Sequence, residues 1–407
     1  MKRIVITGIG TISSYGTGVN AFWDALLEGK TKVAPVASFD TSALNSHRAA
    51  EIGTVDSVDI PRQKVAGNIP RSIQLGIVAA HLALQHAGVK LSNVDPSRAG
   101  VVYGTGYALR TLTEFYDRVL KEGPRSADPG LFPNTAMSAA ACHVSILFGF
   151  RAFNATLSDG ETAGLDAIAY AVNMLRAGRG EMALAGGLYE LSPADYVGFS
   201  LRKMLATAQE DAEEAGRPFD VRRNGMVLGE GCAVLLLEEF DAAVRNGRTI
   251  IAEISGHANH FDPLLKPGYE LFGQGAKAAM RSALLSACKK AEDVDVVFAN
   301  ANGSRAGDAM ESRALSAVFP RDGATKITAI KSSLGDTCSA AGAFQVAAAA
   351  LAIQQSSIPP TLHFNRCGGA SRIVPITSAM TGTSVRTALV NAFGGLGNNA
   401  SVVVTAA

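Results

Sequence analysis

Short apolar runs alternate with helical patterns along the whole chain, and the alternation passes through the same order twice. In the first pass the apolar runs lie at 3–10, 99–106, 153–157, 181–187 and 232–237. In the second they lie at 250–254, 294–300, 327–331, 389–392 and 400–404. Residues at helical spacing fall between them, at 71–88, 107–123 and 165–176, then at 276–291, onward from 308, and at 340–354. Strands that alternate with helices specify an α/β chain. Two sets of similar size and order point to an internal duplication, so we read one half over 1–245 and a second over 246–407. Residues 245–249 offer only a turn between them, which predicts halves that share one core.

The functional argument starts at residues 152–178, AFNATLSDGETAGLDAIAYAVNMLRAG. The β-leaning run 153–157 stops at Ser158-Asp159-Gly160. A helical pattern follows, with Leu165, Ile168, Ala169, Val172 and Leu175 on one face. Strand, sharp turn and buried helix is a layout that presents a nucleophile. The unpaired N–H groups and positive dipole end of the helix stabilise charge at that point. The residue at the turn is Glu161. A carboxylate is a poor acyl-transfer nucleophile beside a thiolate, so the elbow is built for chemistry that its own side chain does not perform. The dipole favours a carboxylate there by up to ~1–2 kcal/mol when partly buried, and Glu161 is expected to fill the pocket and accept hydrogen bonds from those N–H groups.

These residues carry a family resemblance. Glu161-Thr162-Ala163-Gly164-Leu165-Asp166-Ala167-Ile168 is similar to the elbow of β-ketoacyl synthases of the thiolase superfamily, with Glu161 where the family has its acyl-accepting Cys. Asn300-Ala301-Asn302-Gly303-Ser304 resembles the first catalytic-histidine motif, with Asn302 in place of the His. Lys331-Ser332-Ser333-Leu334-Gly335-Asp336 resembles the second, with Asp336 in place of the His. Arg217-Pro218-Phe219-Asp220, Arg223, Gly225 and Gly229-Glu230-Gly231 match a further family loop. In the C-terminal glycine motif, Gly395 stands where the family has a gating Phe. The resemblance implies a thiolase-like fold: two pseudo-twofold related halves in an αβαβα five-layer arrangement, with two mixed sheets between helix layers. Changed catalytic positions inside intact motifs resemble a chain length factor, the silent β subunit of a type II polyketide ketosynthase.

That resemblance implies a role without activity of its own. The chain would form a heterodimer with an active ketosynthase α subunit and shape the acyl tunnel at the interface. It would thereby set chain length during decarboxylative Claisen elongation on acyl carrier protein, as a subunit of an acyltransferase complex. Tunnel residues carried over by the resemblance are Leu109, Leu112 and Tyr116, with Thr135 and Met137 in the segment 135–138 as a second wall. Glu311 and Lys331 would form a buried ion pair. No cofactor is implied beyond the phosphopantetheine arm of the carrier protein. Leu109 and Leu112 are smaller than the aromatics of aromatic-polyketide systems, which leans toward a linear, reduced polyene product, with an aromatic one still open. Glu161 departs from the Gln more usual in chain length factors. Two other readings stand beside this one: a malonyl-carrier-protein decarboxylase using Glu161, and a scaffold homodimer with no tunnel role. Read from spacing alone, the helix at 107–123 is ordinary core packing.

Composition narrows the field. With 47% hydrophobic and 18% charged residues in 407, much of the surface must be buried, an interface included. A net charge of +1 gives no footing for nucleic acid or acidic membranes. No apolar run reaches the ~18–20 residues of a membrane span. The opening MKRIVITGIG reads as a strand rather than a secretory signal, and Gly8-x-Gly10 lacks the third glycine of a dinucleotide site, Ser13 standing there. Cys142, Cys232, Cys288, Cys338 and Cys367 have no metal-binding spacing and are expected to be reduced core thiols of a cytoplasmic protein. Cys338 stands out because it closely follows Asp336.

Overall fold

The computed structural model describes residues 2–55, 69–107, 110–209, 213–264, 266, 268–319, 324–368 and 373–407. Its first half contributes strands β1 (Ile4–Ser13), β2 (Ala99–Gly104), β3 (Asn154–Leu157), β4 (Met182–Tyr189) and β5 (Gly231–Glu239). The second contributes β6 (Ala252–Phe261), β7 (Val296–Phe298), β8 (Lys326–Thr328), β9 (Thr387–Phe393) and β10 (Asn398–Thr405). They follow the order β8-β7-β9-β10-β6-β1-β5-β4-β2-β3. Counted from its own edge, each half places its third, second, fourth, fifth and first strand. In each, the outer three are parallel and the inner two antiparallel. The duplication expected from the sequence is thus written into the topology.

One expectation needs correcting. The two halves are not separate sheets, because β1 and β6 pair through Val5 with Glu253 and Ile6 with Ala252. The seam is short for a physical reason. Register shifts between Ile6 and Gly8 and between Ile254 and Gly256 interrupt the ladders on its two sides, and such bulges bend a strand away from its neighbour.

The helices used below are α1 (Arg71–His86), α2 (Arg110–Glu122), α3 (Ala139–Phe148), α4 (Ala163–Arg176), α5 (Pro193–Leu201), α6 (Gln274–Ser286), α7 (Arg305–Val318) and α8 (Ala341–Gln355). Alternate strand residues point to opposite faces, and here both faces are covered. Val101, Tyr103, Val234 and Leu236 pack with α1 and α3. Their neighbours Val102, Leu235 and Leu237 join Val296, Val390 and Val402 of the other half around α4 and α8. Val297, Leu389 and Val403 pack with α6 and α7. The result is the five-layer thiolase-like arrangement with a shared central core. Residues Ala341 through Ala352 of α8 are all buried, and the many alanines among them suit a helix enclosed between the two halves of the sheet.

Equivalent glycines record the duplication. A Cβ on Gly8 of β1 would strike the backbone carbonyl of Ala83 and the Ala87 methyl. A Cβ on Gly256 of β6 would strike the carbonyl of Ala283 and the Ala287 methyl. The N-terminal glycine pattern therefore serves close strand–helix contact rather than nucleotide binding.

Candidate functional site

The run 153–157 becomes β3, and the chain turns through a single 3-10 turn, Gly160–Thr162, into α4. Gly160 takes the turn at a φ of 67°, a conformation that costs a residue with a Cβ dearly. Glu161 follows it, buried at the foot of α4. Its partner is the Tyr107 hydroxyl rather than the helix N–H groups expected from the sequence. Burial, reinforced by the Glu161 charge, pushes the Tyr107 hydroxyl up, so Tyr107 remains the donor. On its other side the carboxylate lies against the C-terminal glycine motif: a Cβ on Gly394 would sit 2.9 Å from Glu161 Oε2.

The two other substituted positions meet each other. Asn302 Nδ2 donates to Asp336 Oδ2 at 2.7 Å, and Lys331 Nζ approaches the same oxygen at 3.3 Å. The second Asp336 oxygen accepts from the Cys338 N–H at 3.0 Å. Asn302 spends its carbonyl oxygen on the N–H of Ser304 at 2.9 Å. All of Asn302, Lys331 and Asp336 are buried. The Asp336 charge is therefore compensated within the chain, and both ends of the Asn302 amide are engaged. Cys338, which stood out in the sequence, lines this site at a φ of 44°. Burial, then the charges of Asp336 and Glu161, push its thiol up. It stays a protonated thiol, a poor nucleophile.

Residues 1–243 match the family described as Beta-ketoacyl synthase, N-terminal domain, and residues 251–365 match Beta-ketoacyl synthase, C-terminal domain. The chain belongs to the β-ketoacyl synthase family. A 3-oxoacyl-[acyl-carrier-protein] synthase 2 of Vibrio harveyi is 30% identical over 406 residues, covering 99% of this chain and 98% of its own. The tetracenomycin polyketide synthase ketoacyl synthase alpha subunit of Streptomyces glaucescens is 34% identical over 374 residues, covering 89% and 87%. Among solved structures, the ishigamide ketosynthase/chain length factor superposes with a TM-score of 0.90 at 26% identity, over 100% of this chain and 99% of that one.

Set against the β-ketoacyl synthase motifs, Glu161, Asn302 and Asp336 are gathered at one end of the central helix layer, with Tyr107, Cys338 and Tyr269 around them. The Glu311–Lys331 ion pair is not formed. Lys331 turns instead to Asp336 and to Asn300 Oδ1 at 2.9 Å, because Asp336 places a buried carboxylate within its reach. Glu311 is left accepting from the Asn300 N–H at 2.9 Å and Asn391 Nδ2 at 3.2 Å, and its Oε2 has no partner. Burial pushes its carboxyl up to about 7.

Leu109 lies outside the described residues. Leu112 is half-buried on α2, Tyr116 is exposed, and only Thr111 of that helix is buried, so the core-packing reading of the helix fails. Thr135 is half-buried, its hydroxyl on the Phe132 carbonyl at 2.7 Å. Met137 is exposed, with Ser158 Oγ 3.1 Å from its sulfur, beside the elbow. Cys142 and Cys288 are exposed, contrary to the reading of all five cysteines as core. Sequence reasoning missed Tyr107 as a site residue. It takes a φ of 67°, and the flanking Gly104 and Gly106 were the signal that the chain turns there before α2 begins.

Proposed function

We propose that this chain is a catalytically silent chain length factor, the partner of an active ketosynthase in a type II polyketide system. One observation carries the reading: Asn302 and Asp336, which we assign to the two histidine positions, are tied to each other and to Lys331, and Glu161, assigned to the nucleophile position, is a buried carboxylate. Nothing there can accept an acyl group, and no imidazole assists loss of CO2. The decarboxylase reading loses support for the same reason.

A surface argument supports the heterodimer. The two halves treat their outer edges differently. In the second half, β8 is covered by its own chain, the N–H of Ile376 bonding the Ile327 carbonyl at 2.9 Å. Its counterpart β3 pairs only with β2 among the described residues. An open edge of this kind is a template for another strand. Beside it stand exposed apolar side chains: Tyr116 (52%), Leu120 (83%), Phe132 (59%) and Ile146 (73%). A band of that kind marks an interface. The ring of Phe132 meets Phe115, which meets Tyr116, at centroid distances of 5.9 and 5.7 Å. These residues and Leu112 form this chain's share of the acyl tunnel, and the acyl carrier protein delivers its arm to the partner's active site.

The test is to co-express the chain with candidate active ketosynthases and assay elongation on malonyl carrier protein, with Leu112→Trp and Tyr116→Ala beside wild type. Leu112→Trp should shorten the product and Tyr116→Ala lengthen it. An active complex whose product length never moves would leave an assembly subunit without a tunnel role.

A further inference from the structure

A cleft of about 530 Å³ opens over the silent site, lined by Arg202, Lys203, Ser304, Arg305 and Gly395. Tyr269 is also in its wall. Its ring packs on α7, where a Cβ on Gly307 would sit 3.1 Å from the ring. The preceding residue is fixed by the Gly268 N–H bonding the Gly395 carbonyl at 2.7 Å. Tyr269 is half-buried, and Glu161, Asp336 and Cys338 are close enough to act electrostatically on its hydroxyl. None of those three side chains lines the cleft. Gly395 sets the other wall, where the synthase motif has its gating Phe, and it offers no side chain to close the passage.

We propose that Tyr269 is a plug: a fixed aromatic side chain that separates the surface cleft from the Glu161, Asp336 and Cys338 side chains and makes the cleft a dead end. This deepens the reading of the chain as a silent subunit. A carrier arm that enters this cleft is stopped short of Glu161, Asp336 and Cys338, where no reaction can occur, so the arm is not lost to the wrong subunit. The plug compensates for the Phe missing at Gly395.

Cysteine reactivity tests it without assuming the partner or the product. The full chain is pulse-labelled with N-ethylmaleimide at alkaline pH, and each cysteine is quantified by peptide mass spectrometry. Exposed Cys142 and Cys288 give the open rate, and buried Cys232 reports any unfolding. In wild type, Cys338 should stay unlabelled while Cys142 reacts. In Tyr269→Ala, Cys338 should become labelled, more slowly than Cys142 because its thiol stays protonated but clearly above wild type, with Cys232 still protected, and Tyr269→Phe should keep the wild-type pattern. Protection of Cys338 in Tyr269→Ala, or its labelling in wild type, would overturn the plug. So would labelling of Cys338 in Tyr269→Phe with Cys232 protected. The outcome stands apart from the chain-length reading, since it concerns only access to Cys338.

Discussion

At the residue scale, Asp336 decides where the Lys331 charge is spent. Lys331 pairs with that carboxylate, and Glu311 is left buried without a cation on it. Two predictions follow from the charges. Lys331→Met strands Asp336 as an uncompensated buried charge and should cost about 3–5 kcal/mol. Adding Asp336→Asn should recover most of that loss, measured by urea denaturation. Glu311 has a folded pKa of about 7 against an ordinary value of 4.5. Its proton-bound form therefore contributes stability in full below about 4.5, and that stability is lost as pH rises to and through about 7. Glu311→Gln should remove this fall and stabilise the protein at alkaline pH by on the order of 1–3 kcal/mol. An unchanged stability–pH profile in that variant would contradict the assignment. Glu161, Asn302 and Asp336 were legible in the sequence because each sits inside a motif of fixed spacing. The pairing of Lys331 was not, because spacing says which groups are near and not which carboxylate a lysine selects. Tyr107 was hidden for a similar reason: its role rests on a left-handed backbone that helical periodicity cannot register.

Among the elements, the duplication makes a quantitative statement. Gly8 and Gly256 hold equivalent places, each strand pressed against a helix backbone next to a register shift. Alanine at either site should destabilise by a similar amount, about 1–3 kcal/mol or more, because the obstructing atoms are backbone carbonyls that cannot turn away. Paired denaturation curves for the two variants check this, and a large difference between them would break the equivalence. The order of strands and helices was readable from the sequence because most strands are buried on both faces and read as plain apolar runs. The short seam between β1 and β6 was not, since two residue pairs leave no periodicity of their own. Helix α2 misled the core-packing reading in an instructive way. Its apolar residues at helical spacing face outward, and spacing alone does not say whether a stripe meets its own core or another chain.

For the whole molecule, the asymmetry between the edges matters most. The carbonyls of Phe153 and Leu157 accept from Val101 and Thr105 of the β2 region, so the odd-numbered residues of β3 face inward and the N–H groups of Asn154 and Thr156 face out. Thr156→Pro should remove one outward donor without touching the inner ladder. The variant is expected to fold, to keep the monomer's melting behaviour, and to lose association with the active ketosynthase in size-exclusion chromatography. Retained association would move the interface elsewhere.

The central claim is that this chain contributes no chemistry of its own. It is tested most directly by purifying the complex with its active partner and comparing malonyl-carrier-protein turnover for wild type, for Glu161→Ala in this chain, and for loss of the partner's nucleophile. Turnover that survives Glu161→Ala, disappears with the partner's nucleophile, and is absent from this chain alone is the predicted result. Turnover by this chain alone that Glu161→Ala abolishes would contradict it.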